Sequence, residues 1–423
     1  MKSSMQRKPI LTCDYLAEPT LQFGDYFEHE DTKTGLAEYG PFGKNVPGLH
    51  VSEIRLGFIG TRETISEAKE WIARCSGYIE SENVKSIQED VIPSPLPLFE
   101  DDFEPQSQNR LRLEKIINRD FIGFNKDSAF QCEFQLNPRW ERSLDPREVK
   151  KVLDIPNKQQ RIEEVVALIN AQLTSITQTS PIPHIVIIAL PHEIEESADT
   201  VRVSGNFFLN LRRAIKAKAM NQQTLEGKRD VQEPATRAWN FCTAQYYKAE
   251  GVPWIPTSLP EDTCFIGISF YVAQDLDEKV TMRSSVAQAF DYLGQGLIIR
   301  GEESFEWNVK EMGPSPHLPT ENARKLIKQT LEEYVKIRGN PPRRVVIHKT
   351  SEFWGNQHAQ YNEIDGLYEG IYEVSRYCET DFVTLRQTGI RLFREGKYPP
   401  LRGTYFSIEN RHHFLYTMGF IPY

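Results

Sequence analysis

The chain has 423 residues, of which 39% are hydrophobic and 26% charged, and a formal net charge of −9. That composition belongs to a globular protein with length for two or three domains, and it excludes a disordered chain or a small disulfide-built scaffold. No apolar run reaches the ~20 residues of a membrane span, so no membrane partner is expected.

The N-terminus, MKSSMQRKPILTC, lacks the apolar core of a signal peptide. The six cysteines are scattered, with no CxxC pair and no metal-ligand spacing. Free thiols and a cytoplasmic setting follow as expectations. An acidic total weighs against a nucleic-acid binder unless the positive charge is local. Two clusters make it local. Arg212, Arg213, Lys216, Lys218, Lys228 and Arg229 fall within Gly205–Asp230, and Arg386, Arg391, Arg394, Lys397, Arg402 and Arg411 fall within Arg386–Arg411.

In chain order, EPTLQFG and GLAEYGPFG (within residues 16–43) read as a segment ending in a turn-rich loop. VSEIRLGFIG, at 51–60, reads as a strand, and TRETISEAKEWIARC as the helix after it, with Thr61 or Thr64 as the cap. Residues 92–106, rich in proline and acid, read as an extended crossing. A helix is expected from Asp145 to Asn170, then a buried strand from His184 to Pro191.

The next stretch carries the first candidate site. In NFFLNLRRAIKAKAMNQQ, Phe208, Leu211, Ile215 and Ala219 recur at helical spacing. If that helix reaches Gln223, Arg212, Lys216 and Gln223 share one stripe at about 100° per residue. Two cations and an amide in a row can hold a phosphate, because they supply charge and several N–H donors. A second helix is expected from Ala235 to Lys248, stopped by Glu250-Gly251 and Pro253, with Lys248 in its last turn. The plainer alternative is a solvated helix face, with Lys248 complementing the helix dipole. In open α/β sheets ligands gather at the carboxyl ends of strands and the N-termini of helices, and this basic stretch follows a buried strand.

From Cys264 the pattern restarts. CFIGISFYV reads as a strand, Ser284–Gly301 as strand, Gly turn and strand, Thr320–Gly339 as an amphipathic helix, and PPRRVVIHKT as a strand ending at His348-Lys349-Thr350. A helix at Asn362–Tyr377, a strand at Asp381–Leu385 and a meander complete the chain. That order is the ribonuclease-H-like plan, in which acids at the strand ends hold two metal ions. The corresponding positions here are Ser269 and Thr350, and neither hydroxyl can bind Mg²⁺ as a carboxylate does.

These segments resemble the short prokaryotic Argonautes, built of MID and PIWI domains. EPTLQFG with GLAEYGPFG resembles the family's opening and AWNFCTAQYYKAEGVPW the end of MID. FDYLGQGLIIRGEE, VVIHKTSEFW, IRLFREGKYPPLRGTYF and LYTMGFIP resemble successive PIWI segments. The resemblance implies an α/β protein, with a Rossmann-like MID domain followed by a ribonuclease-H-like PIWI domain. Residues 1–40 would be an N-terminal segment packing on PIWI, 41–258 MID and 259–423 an inactive PIWI.

By position, Lys216, Gln223 and Lys248 match the residues that grip a guide 5′-phosphate. Arg212 stands where the family has an aromatic residue or histidine, a departure that changes the surface offered to the first base. Lys216 and Gln223 are closer together than is usual, so Gln222 also remains a candidate. Ser269 and Thr350 stand where the first two acids of the cleaving tetrad belong, so no catalytic residue and no PIWI metal ligand is expected. Mg²⁺ could still bridge the guide phosphate in MID. The resemblance further implies a guide RNA, a complementary single-stranded DNA target, and an APAZ-containing partner with a TIR, sirtuin-like or nuclease effector. Arg391, Arg394 and Arg402 would line the guide–target backbone. Two other readings stand beside this one: an active guide-dependent endonuclease using displaced acids such as Asp291, Glu303 or Asp381, and an interaction scaffold that binds no nucleic acid.

Overall fold

The computed structural model describes residues 13–81, 119–191, 194, 219–220, 233–274, 280–294, 296–300, 305–307, 313, 315–356, 360–390, 392, 401–409 and 411–417. The chain forms two units, Phe23–Trp254 and Ile255–Tyr423, the second including the residues before Phe23. No helix among the described residues is long and apolar enough to cross a membrane. All six cysteines are free.

Two short strands come first, β1 (Asp14–Tyr15) and β2 (Leu21–Gln22), and both belong to the second unit. The first unit opens with β3 (Glu28–His29) and α1 (Thr32–Tyr39). The helix α1 replaces part of the loop expected from GLAEYGPFG. Asp31 caps it by accepting the Thr34 N–H at 2.7 Å. Gly35 sits inside it because the Phe23 ring lies so close that a Cβ there would fall 2.2 Å from the ring.

β4 (Glu53–Gly60) buries Ile54, Leu56, Phe58 and Ile59 completely. α2 (Arg62–Cys75) starts at once because Thr61 and Thr64 cap each other: each hydroxyl accepts the other's backbone N–H, at 3.2 and 3.0 Å. β5 (Glu133–Ser143) follows. The single helix expected over Asp145–Asn170 is two, α3 (Pro146–Leu153) and α4 (Lys158–Thr177). Pro156 separates them, since a proline disfavours helical backbone in the residue before it. β6 (Ile185–Ala189), the two-residue β7 (Ala219–Met220) and α5 (Pro234–Lys248) complete the unit.

Its sheet runs β5-β4-β6-β7 with every pair parallel. This is the Rossmann-like arrangement expected of the first half. Ile59 and Ile188 bury against Val149 of α3 and Val165, Ile169 and Ile176 of α4. A separate aromatic group, Phe121, Phe124, Phe130, Trp239 and Tyr246, packs around α5.

The second unit contains β8 (Ile255–Pro256), β9 (Thr263–Gln274), β10 (Val280–Phe290), β11 (Gly296–Arg300) and β12 (Phe305–Glu306). Then come α6 (Thr320–Arg338), β13 (Arg344–Lys349), α7 (Glu363–Val374), β14 (Glu379–Thr384), β15 (Thr404–Glu409) and β16 (His412–Leu415). The main sheet is ordered β11-β10-β9-β13-β14, with β12 on β10. β9, β10 and β11 are antiparallel neighbours, whereas β9, β13 and β14 are parallel. This mixed order is the one the second half of the sequence predicted.

Cys264, Ile266 and Ile268 of β9 and Val345 and Ile347 of β13 bury one face against α6 and α7. The two helices meet closely because Gly366 and Gly370 face α6; a Cβ at Gly366 would lie 2.1 Å from the Thr320 carbonyl oxygen. β1, β15 and β16 form a three-stranded antiparallel sheet, and β2 pairs with β8.

A candidate nucleic-acid interface at the carboxyl edge of the second sheet

In the parallel ladder of β9 and β13 the last pair is Ile268 with Lys349. Ser269 comes next on β9 and Thr350 is the first residue after β13, so the two sequence-predicted positions follow the same ladder pair, and both residues are exposed. β14 ends at the same level, Thr384 opposite Lys349, and the Leu385 N–H donates to the Lys349 carbonyl at 2.8 Å. β9 runs on from Phe270 to Gln274 beyond this edge. The carboxyl ends of β13 and β14 therefore open beside the projecting β9, the place where open α/β sheets collect ligands.

The loop after β13 carries one carboxylate, Glu352, which pairs at 3.2 Å with Arg386 from the end of β14. Both groups are exposed, so the pair is weak and open to competition by other ions. The sequence reading missed this pair, whose partners come from two different loops.

Two of the displaced acids considered above lie back from this edge. Asp381 pairs in register with Val346, and Val346 with Phe265; Asp291 follows Phe290, itself opposite Phe265. That level is four residues before Ser269, about 13 Å along the strand. Each acid also has a cation: Asp381 accepts from Arg344 at 2.7 Å, and the buried Asp291 pairs with Arg338. Glu303 lies outside the described residues. Among the described residues no group of three or more His, Cys, Asp or Glu side chains is arranged to hold a metal ion.

Directly beneath the edge is a feature that sequence reasoning did not find. The Glu363 carboxylate, in the first turn of α7, is buried and collects four donors. Its Oε2 takes the Lys349 ammonium at 2.5 Å, His317 Nδ1 at 2.9 Å and the Trp354 N–H at 3.1 Å, while Oε1 takes the Leu318 N–H at 2.7 Å. The Lys349 ammonium also lies 4.7 Å from the Phe353 ring centre, and the His317 ring stacks on Trp354 at 3.8 Å. Burial pushes the Glu363 carboxyl up, but the His317 contact, the Lys349 charge and the Leu318 N–H outweigh it, and its pKa lies below the ordinary value. Burial shifts Lys349 the other way, toward its neutral form. The carboxylate's direction decides the state of the pair, because its two backbone N–H donors are fixed by the chain and favour the anion at any pH.

The first unit has its own carboxyl edge. With β5-β4-β6-β7 as the order, the connections diverge between β4 and β6, so the crevice lies beyond Gly60 and Ala189. The Thr64 hydroxyl bridges the two strands by donating to the Ala189 carbonyl at 2.9 Å.

Arg212, Lys216 and Gln223, like Gln222, lie outside the described residues. Within the helix expected to run on to Gln223, the two described residues, Ala219 and Met220, form β7, parallel to Ile188 and Ala189. The open edge of β6 recruits this backbone into the sheet, where its hydrogen-bonding groups are satisfied, and that overrides local helical spacing.

Lys248 is described. It is exposed in the last turn of α5, and the turn beyond it is joined to the segment entering β4 by the Val252 N–H and the Leu49 carbonyl, 2.9 Å apart. The left-handed residue that ends α5 is Glu250, with φ 74°, rather than Gly251.

Of the second basic cluster, Arg391 and Arg394 lie outside the described residues. Arg402 sits in the turn before β15, and its Nε donates to Glu18 Oε1 at 2.9 Å. The same turn is pinned by the Leu16 N–H to the Gly403 carbonyl at 2.9 Å, with Gly403 at φ 91°.

No protein-family model matches the sequence, and no curated protein matches it significantly. Solved structures do. The structure of Clostridium butyricum Argonaute bound to a guide DNA and a 19-mer target DNA aligns with a TM-score of 0.50 at 12% identity, over 93% of this chain and 43% of that one. Marinitoga piezophila Argonaute in complex with 5′ OH guide RNA aligns at 0.49 and 14% identity, over 97% of this chain and 50% of that one. Its complex with 5′ OH guide RNA and target DNA aligns at 0.49 and 13%, over 98% and 50%. The chain thus spans about half the length of the Argonautes it matches, and its likeness to the Clostridium butyricum structure is one of fold.

Proposed function

We propose that this chain is a guide-directed nucleic-acid sensor. It binds a 5′-phosphorylated small guide RNA, recognises complementary single-stranded invader DNA without cutting it, and activates an associated effector protein in prokaryotic immunity. The observation that supports the non-cutting reading is the register of β9 and β13, whose last pair is Ile268 with Lys349; in this reading Ser269 and Thr350, the next residue on each side, take the positions of two metal-binding acids. Asp291 and Asp381, the described alternatives, are paired with arginines and lie back from that edge.

In this reading base pairing reads sequence, and the protein reads the backbone and the guide's 5′ end. The Clostridium butyricum Argonaute, whose fold this chain shares, was solved with that kind of ligand pair, a guide and a target strand. Arg212, Lys216, Gln223 and Lys248 hold the 5′-phosphate by charge and N–H donors. None of the four is a carboxylate, so a Mg²⁺ ion there would be held by phosphate oxygens, with the Gln223 amide oxygen as a neutral ligand; its contribution would be to neutralise the phosphate charge. Arg391 and Arg394 follow the guide–target backbone. The effector chemistry belongs to an APAZ-containing partner with a TIR, sirtuin-like or nuclease domain.

The test is to purify the chain together with the product of the adjacent gene and analyse the bound nucleic acid. Short 5′-phosphorylated RNA, and effector activity that appears only when complementary single-stranded DNA is added, support the reading. A chain that carries no short RNA and binds none in vitro is a scaffold of another kind.

A further inference from the structure

We infer that Glu363 is the positioning residue for the loop Thr350–Trp354, holding it as a preformed rest for the paired target strand at the carboxyl edge of β13; the target is that of the function proposed above. Glu363 joins three separate pieces of chain. Lys349 ends β13, the Trp354 N–H closes the loop that begins with Thr350, and His317 with the Leu318 N–H belongs to the segment before α6. Three further bonds tighten the same frame. Ser351 donates its hydroxyl to the Pro316 carbonyl at 3.1 Å, the Ile364 N–H donates to the Trp354 carbonyl at 3.1 Å, and the Leu385 N–H donates to the Lys349 carbonyl.

The loop leaves the sheet at the exposed Thr350 and returns to the buried carboxylate only four residues later, so its path is set at both ends. A backbone N–H donor fixes a peptide plane, not just a side chain, so the Trp354 N–H bond orients the end of the loop, and the Leu318 N–H bond ties the same carboxylate to the segment before α6. A surface for a nucleic-acid backbone needs this kind of rigidity, since ordering a loose loop on binding would cost affinity. Lys349 supplies the charge that lets a carboxylate serve as the frame in a dry interior.

Glu363→Gln alone leaves Lys349 buried without its counter-ion and can fail to fold, so the test also uses the double variant Lys349→Met with Glu363→Gln. A glutamine oxygen can accept from one backbone N–H strongly but cannot hold both as an anion does. In the double variant, amide hydrogen exchange at Leu318 and Trp354 is expected to quicken about tenfold or more, while Val346 and Ile347 inside β13 keep their protection. The guide-loaded variant is expected to bind single-stranded target about tenfold more weakly and to bind guide within about twofold of the parent. Ile371→Val, a core trimming of the same helix, is expected to lower the melting temperature and leave both affinities unchanged.

Unchanged exchange at Leu318 and Trp354 overturns the inference. So does a loss of target affinity in Ile371→Val equal to that in the double variant, or equal losses for guide and target. If the parent chain binds no guide or target, the functional reading fails, and the exchange measurement still judges the role of Glu363.

Discussion

Ser269 and Thr350 each lie one residue past Ile268 and Lys349, the last ladder pair of two parallel strands. Two-metal hydrolysis needs carboxylates that hold ions ~4 Å apart, and two neutral hydroxyls provide neither the charge nor the affinity. Ser269→Asp alone is expected to restore no cutting, because one carboxylate cannot hold the ion pair. Ser269→Asp with Thr350→Asp is expected to gain Mn²⁺ binding, read by calorimetry against the parent chain. No gain in the double variant would mean that the two positions do not converge as the register requires.

The second prediction separates a phosphate site from a general basic surface. Charge-assisted bonds to phosphate contribute ~1.5–3 kcal/mol each. Lys216→Ala with Lys248→Ala should therefore weaken binding of a 5′-phosphorylated guide by about a hundredfold or more, and that of a 5′-hydroxyl guide only a few-fold. Competition binding with both guides checks this. Equal losses would assign the lysines to the backbone field.

Arg402 is expected to behave differently from Arg391 and Arg394. Its Nε is engaged by Glu18, and its side chain is 43% exposed. Such a pair contributes at most about 1 kcal/mol. Arg402→Ala should lower the melting temperature slightly and leave the salt dependence of target binding unchanged. Arg391→Ala and Arg394→Ala should each reduce the slope of log K against log salt by about one.

Acid stability provides the fourth. The folded Glu363 carboxyl lies below its unfolded value of about 4.3. A carboxyl depressed by folding stabilises the protein above the unfolded value, and that contribution is lost as pH falls through the folded one. Urea midpoints between about pH 5 and pH 2 should therefore fall more steeply in the parent than in Lys349→Met with Glu363→Gln. Parallel curves would mean that Glu363 is not the ionised centre of this network.

Much of the fold was legible because it is local. The apolar runs of β9 and β13 and the Thr61 cap are read within a few residues of the structure they specify. So is the stop of α6 at Gly339, whose φ is 82°. Features that depend on distant partners were not legible. α1 contains a glycine that reads as a turn until the Phe23 ring is known to lie against it. β5 is interrupted by Asn137-Pro138, which breaks strand alternation although β4 pairs with it on both sides of the break. β7 interrupts an expected helix because β6 offers an edge. The Ser269 and Thr350 positions could be anticipated from strand order, but the Glu363 network could not. Its donors come from His317, Leu318, Lys349 and Trp354, and nothing in the spacing of those residues marks them as one site.

Recognition without cutting is measured by loading the purified chain with a 5′-phosphorylated guide and adding a labelled complementary single-stranded DNA in Mg²⁺ or Mn²⁺. A stable complex is expected, from which the target is recovered at full length. Guide-dependent products cut at a fixed position, formed by this chain without a partner, would contradict it.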